Sequence, residues 1–185
     1  MGFHHVAVAV KDLRATHAFY SQVMGFDLVK VVTSHTEGGG WAKHAFYDTG
    51  AGGMIAFWEL ADDSIGDQWK SGLSVGLGLP TWVNHLAFDA GDLTQLDERR
   101  GHWQDNGITV VEIDHGFCRS IYATDPDGTM VEFCVTTRDF SAAERAEALG
   151  RLISDPVEFD PEPEITVHKP SPTPVPPILK PASVS

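Results

Sequence analysis

Two histidines and a carboxylate recur at spacings that could hold a metal ion. His5 opens the run "HVAVAVKDL" and His85 opens "HLAFDAGDL". In each copy an Asp-Leu pair follows seven residues later, Asp12-Leu13 and Asp92-Leu93, and the copies are offset by 80 residues. Glu132 lies in "TMVEFCVTT", an otherwise apolar run just after the turn sequence "DPDG" at 125–128. Two neutral imidazoles and one carboxylate form a facial donor set with open positions opposite, which suits Fe(II), with Mn(II) close to it in preference. Open positions let a metal bind a substrate and dioxygen. Taken singly, each residue has an ordinary alternative, as a core or surface strand histidine or a solvent-facing glutamate. The matched repeat positions carry the metal reading, together with a carboxylate that needs a partner once buried.

The elements that must position these residues follow from periodicity. Alternation after each histidine, "HVAVAV" and "HLAFDA", predicts a strand whose successive side chains take opposite faces. His4 and His5 therefore point oppositely, and the repeat makes His5 the inward one. Helical spacing follows in "DLRATHAFYSQVMGF", where Leu13, His17, Phe19, Tyr20 and Val23 share a face. It recurs in "DLTQLDERRGHWQDNG", with Leu93, Leu96 and Trp103. Asp12 and Asp92 are placed to cap these helices, and Gly25 and Gly107 to end them. Three strand-like runs complete each copy: "FDLVKVVTS", "WAKHAFYDT" and "GMIAFWEL", then "ITVVEID", "CRSIYAT" and "TMVEFCVTT". Each module reads β-α-β-β-β.

The expected organisation is α+β, with modules at 2–60 and 82–137 inside a domain spanning 1–140, joined by a Gly-rich linker at 61–81. The linker is long for a loop, which points to a packing or functional role. A helix is expected at 141–154, and a Pro-rich tail at 155–185, extended or disordered. Its Val157, Phe159, Ile165 and Val167 are the only support for an arm that wraps a partner. The "EGGG" at 37–40 precedes no helix and is a hairpin loop, not a phosphate loop.

Composition excludes several partners. A net charge of −13 repels nucleic acid and anionic lipid, so neither is expected. The two cysteines, Cys118 and Cys134, form no CxxC pair and are expected reduced. No apolar run reaches the roughly 18 residues of a membrane span, and no signal peptide is apparent, so a cytoplasmic location is expected.

Paired modules opening "HHVAVAVKDL" and "NHLAFDAGDL" and closing "DPDGTMVEF" resemble the vicinal oxygen chelate superfamily, which includes glyoxalase I, type I extradiol dioxygenases, epimerases and bleomycin-binding proteins. The resemblance covers residues 2–137. It implies two modules pairing into a curved, partly open mixed sheet around one metal, with His5, His85 and Glu132 at the metal positions of the dioxygenases. The stretch "IDHGFCRSIYATDPDGTMVE" is similar to the extradiol dioxygenase motif. By that resemblance His115 serves as the acid-base residue, Tyr122 hydrogen-bonds the catecholate, and Glu132 is the metal ligand. Cys118, Ser120 and Tyr122 alternate onto one strand face, where a phenol can donate to a substrate oxygen. A histidine near neutrality can move a proton.

The expected activity is an extradiol-type dioxygenase using Fe(II), or Mn(II), on a catechol-like aromatic, in a homodimer or higher homo-oligomer. Phe57, Phe117, Cys118 and Ser120 are the expected pocket walls, with Trp58 or Trp41, and Trp82 near the linker. The better-known extradiol enzymes carry four modules and this chain has room for two. Glyoxalase I resembles the length better and takes a fourth ligand from the last strand of its first module, where Phe57 or Glu59 falls. Phe57 there leaves room for dioxygen. A Glu59 within reach of the metal favours a glyoxalase-like lyase or an epimerase. A third alternative is a non-enzymatic binder of aromatic compounds.

Overall fold

Strand alternation sorts each module into a face that packs on its own helix and a face left open. In the computed structural model, which describes residues 2–179, the first module runs β1 (His5–Val10), α1 (Leu13–His17), β2 (Asp27–His35), β3 (Trp41–Gly50) and β4 (Gly53–Ala61). The second runs β5 (His85–Asp89), α2 (Leu93–Asp105), β6 (Val110–Asp114), β7 (Cys118–Thr124) and β8 (Met130–Thr136), followed by α3 (Ala142–Leu152) and β9 (Glu164–His168). The strands form a four-stranded sheet, β1-β4-β3-β2, and a five-stranded sheet, β5-β8-β7-β6-β9. In both, the first strand pairs parallel with the last strand of its module and the other pairs are antiparallel. The molecule is therefore an α+β fold of two β-α-β-β-β modules with mixed sheets that do not close into a barrel.

Local chemistry sets the helix ends. The Asp12 carboxylate accepts from the Arg14 and Ala15 amides, and the Asp92 carboxylate from the Gln95 amide. Gly25 and Gly107 take φ of 77° and 82° just past the first helical segment and α2, the left-handed region that glycine enters without steric cost. From Ala18 to Val23 the first helix widens into π-helical turns, and the Phe19–Tyr20 pair there is buried.

One apolar core spans both modules on the helix side of the sheets. Phe26 packs edge-on against Phe88, with ring centroids 4.9 Å apart, and against Phe133 at 6.1 Å. The turn at 125–128 clips the modules together. Tyr20 Oη donates to Asp125 Oδ2 at 3.0 Å, and the Lys11 amide donates to Asp127 Oδ1 at 2.9 Å. The linker docks on the same turn: Ser71 Oγ bonds Asp127, and the Leu73 amide donates to Thr129 Oγ1. Packing thus explains the length of the linker.

From 155 to 179 the chain is extended and contains β9, which joins the edge of β6. Its five residues, "EITVH", alternate as strands do, but the surrounding prolines mask the signal. The tail then crosses to α2 and the first module, where the Ile178 amide donates to Gln22 Oε1 at 2.7 Å. Residues 180–185 of the tail lie outside the described residues. No helix among the described residues is long and apolar enough to cross a membrane.

The clip predicts a pH dependence. Burial pushes the Asp125 carboxyl up to about 6, only partly offset by the hydrogen bond it accepts from the Thr129 amide. The unfolded chain releases this proton nearer pH 4, so the stabilising contribution is full below about pH 4 and is lost as pH rises through about 6. Asp125→Asn removes that slope. Urea unfolding between about pH 4 and pH 7.5 is expected to show the variant gaining on the wild type by up to about 3 kcal/mol as pH rises. A difference independent of pH contradicts a protonated clip.

Candidate functional site

The open face of the second module gathers polar side chains that the helix-side core excludes. Ala87, Glu132 and Tyr122 lie abreast on β5, β8 and β7, and Cys134 lies abreast of Ser120 one step along. Alternation adds His85 and Cys118 to the same face.

His85 Nε2 lies 3.1 Å from Glu132 Oε2, and its Nδ1 lies 3.1 Å from the Trp82 carbonyl oxygen. A carbonyl only accepts, so Nδ1 carries the hydrogen. Nε2 then faces a carboxylate oxygen, and the contact is favourable only with a proton or a metal cation between them. Glu132 is 5% exposed, so its charge needs such a partner. The pair supplies one nitrogen and one oxygen donor to a common point, which fits two positions around a divalent metal.

Tyr122 extends the network. Its hydroxyl lies 3.0 Å from His115 Nε2, and the residue stands abreast of Glu132 in register. Burial first, then the Glu132 carboxylate, raise the phenol above its usual range, with Ser120 pulling partly the other way. Tyr122 therefore stays a neutral donor. The Phe117 ring lies 6.2 Å from His115 and is 37% exposed. Cys118 Sγ lies 4.0 Å from Ser120 Oγ, and burial pushes the Cys134 thiol up to about 12. A thiol held that high is a poor nucleophile at Cys134.

His5 occupies the equivalent place on the first module, with different neighbours. Its Nδ1 lies 2.8 Å from His4 Nδ1, and its ring meets His44 and Phe46. His44 stacks on Trp58 at 3.7 Å between centroids, and its Nε2 is buried without a hydrogen-bond partner. Burial and the neighbouring His5 lower its pKa, so it is a neutral imidazole. His44 belongs to no repeated phrase, but alternation in "WAKHAFYDT" puts it on one face with Phe46. Among the described residues no three His, Cys, Asp or Glu side chains gather closely enough to hold one ion. The structure thus joins His85, Glu132, Tyr122 and His115, and leaves His5 in a separate cluster.

Two residues of β4 face away from that cluster. Phe57 is fully buried on the helix side, 4.3 Å from the Tyr20 ring centroid, and forms core rather than the expected pocket wall. Val8, its partner in register, is buried with it. Glu59 shares this face and accepts from the Leu13 amide, with its carboxyl raised by burial. The register shows what stands opposite Glu132. Glu132 pairs with Ala87, two residues past His85, and Ala56 pairs with Ala7, two residues past His5. The first module's counterpart of Glu132 is an alanine. Of the tryptophans, Trp58 lies on the His5 face, whereas Trp41 lies on the other, beside Lys43.

A family model described as the Glyoxalase/Bleomycin resistance protein/Dioxygenase superfamily matches residues 2–133. No curated protein matches the chain. Among solved structures, a glyoxylase/bleomycin resistance protein/dioxygenase domain from Frankia sp. EAN1pec is 18% identical, with a TM-score of 0.55 over 74% of this chain and 98% of its own. Lactoylglutathione lyase from Agrobacterium tumefaciens is 21% identical, with a TM-score of 0.51 over 72% of this chain and 92% of its own. The fosfomycin resistance protein FosX from Listeria monocytogenes is 23% identical, with a TM-score of 0.50 over 78% of this chain and 98% of its own. At these identities the likeness shows the fold.

The buried pair predicts an asymmetry in stability. His85→Ala strands the Glu132 carboxylate and is expected to lower the unfolding free energy of metal-free protein by about 1–3 kcal/mol. Adding Glu132→Gln is expected to restore part of that, because a neutral amide loses less on burial. Chemical denaturation of the three proteins checks this, and a neutral His85→Ala contradicts it.

Proposed function

Since the chain belongs to the Glyoxalase/Bleomycin resistance protein/Dioxygenase superfamily, we propose that it is a metal-dependent extradiol-type dioxygenase acting on a catechol-like aromatic. The supporting observation is the contact of His85 Nε2 with Glu132 Oε2, with His115 and Tyr122 bonded beside it on one open face. His85 and Glu132 hold the metal, Fe(II) or Mn(II). His5 is the third ligand and comes from a second copy. β1 and β5, each headed by a histidine, are both sheet-edge strands, so a homodimer that sets one beside the other completes the donor set.

When bound, the metal supplies Lewis acidity toward both oxygens of a diol and the redox capacity to engage dioxygen. The rest falls to side chains. On substrate binding the Tyr122 hydroxyl turns its one hydrogen from His115 Nε2 to a substrate oxygen and orients the ring. His115 Nε2, 3.0 Å from that hydroxyl, takes and returns the proton of the diol. Phe117 forms the exposed wall, with the buried Cys118 and Ser120 behind it, and keeps water from the ring. Ala56 in place of a fourth carboxylate, with Glu59 turned to the Leu13 amide, favours a three-ligand site over a four-ligand lyase.

Oxygen uptake by protein reconstituted anaerobically with Fe(II) tests this reading on a panel of catechols. Uptake is expected in the wild type, absent in Glu132→Ala, and lowered about 10²-fold in kcat by His115→Ala. Mixing inactive His5→Ala with inactive Glu132→Ala is expected to restore about a quarter of wild-type activity, because half of randomly paired dimers hold one intact site of two. Metal-dependent isomerisation of hemithioacetals without oxygen uptake would instead assign the lyase.

A further inference from the structure

We infer that β9 builds the far wall of the substrate face and selects aromatics with an apolar substituent, an inference that rests on the aromatic-binding reading of that face. β9 lies beyond residues 2–133, the part that the family model matches.

The register assigns its faces. Val111 pairs with Tyr122 on one side and Val167 on the other, and Ile113 pairs with Ser120 and Ile165. The alternate residues turn to the helix side: Val110 is fully buried there, and Glu112 meets Arg100 of α2 and His168 of β9. Val111, Ile113, Ile165 and Val167 therefore share the open face with Tyr122. Ile165 and Val167 are 58% and 61% exposed. The charged and polar residues of β9 all point away from it.

Distance decides what these residues can touch. Adjacent strands are about 4.8 Å apart, so Val167 lies two spacings, about 10 Å, from Tyr122, and three, about 14 Å, from Glu132. A single ring held between Glu132 and Tyr122 stops short of β9. A second ring or a branched alkyl group covers the gap and removes apolar surface from water. The wall is also preordered. Beyond β9, Gln104 Nε2 donates to the Lys169 carbonyl at 2.7 Å, the Ser171 amide to the Gln104 carbonyl at 2.8 Å, and the Val175 amide to the Asp105 carbonyl at 2.8 Å. Binding therefore costs little ordering of this segment.

The test compares anaerobic binding of catechol and 4-phenylcatechol to full-length metal-loaded protein, followed by intrinsic fluorescence, so turnover is not needed. The variants are Ile165→Thr/Val167→Thr, which keeps strand-forming shapes, and Val167→Ala. Wild type is expected to bind 4-phenylcatechol at least tenfold more tightly than catechol. The double variant is expected to lose most of that preference, with catechol affinity unchanged and circular dichroism retained. Equal weakening for both ligands, or an unchanged preference, overturns the role of β9 while leaving the site reading intact. A change in sedimentation without a change in preference also overturns it, making the surface a subunit contact. Failure of wild type to bind either ligand overturns the site reading itself.

Discussion

A carboxylate held at 5% exposure must be matched by a positive or hydrogen-donating partner, and the second module is arranged around that demand at Glu132. His85 answers it with Nε2, and the Trp82 carbonyl fixes which nitrogen that is. Tyr122 stands abreast of it with a hydroxyl that burial keeps neutral, and that hydroxyl bonds His115. Replacing Glu132 with an apolar residue would make an ordinary strand. Its place inside an apolar run is what gives this face a buried carboxylate.

The modules meet through their helix sides, at Phe26, Phe88 and Phe133 and at the Tyr20–Asp125 bond. That choice of interface turns both open faces outward. The histidine pair of the first module and the His85–Glu132 pair of the second form separate clusters, headed by the sheet-edge strands β1 and β5. A site assembled from both therefore draws on two copies, as the proposed dimer does. The tail then acts twice, extending the second sheet with β9 and tying α2 back to Gln22 of the first module.

Much of this was legible in the sequence. The matched phrases at His5 and His85 disclosed the duplication, and period-two alternation located the eight module strands. The capping aspartates and the glycines at 25 and 107 marked the helix ends. Faces were harder. Alternation relates residues within one strand, but which side carries the helix depends on pairing register. Phe57 and Glu59 were therefore placed on the His5 side, although the register puts Ala56 and Trp58 there. β9 was hidden because five alternating residues among prolines do not stand out, and its pairing partner is distant in sequence. The tautomer of His85 rests on a backbone carbonyl, which side-chain patterns do not reveal.

Manganese binding tests the central claim most directly. Anaerobic titration of metal-free protein with Mn(II), followed by electron paramagnetic resonance of the free ion, is predicted to saturate at about one ion per chain. Glu132→Gln and His85→Ala are predicted to lower the affinity at least 100-fold while secondary structure is retained. Equal affinity in wild type and Glu132→Gln would contradict a metal centre built on this pair.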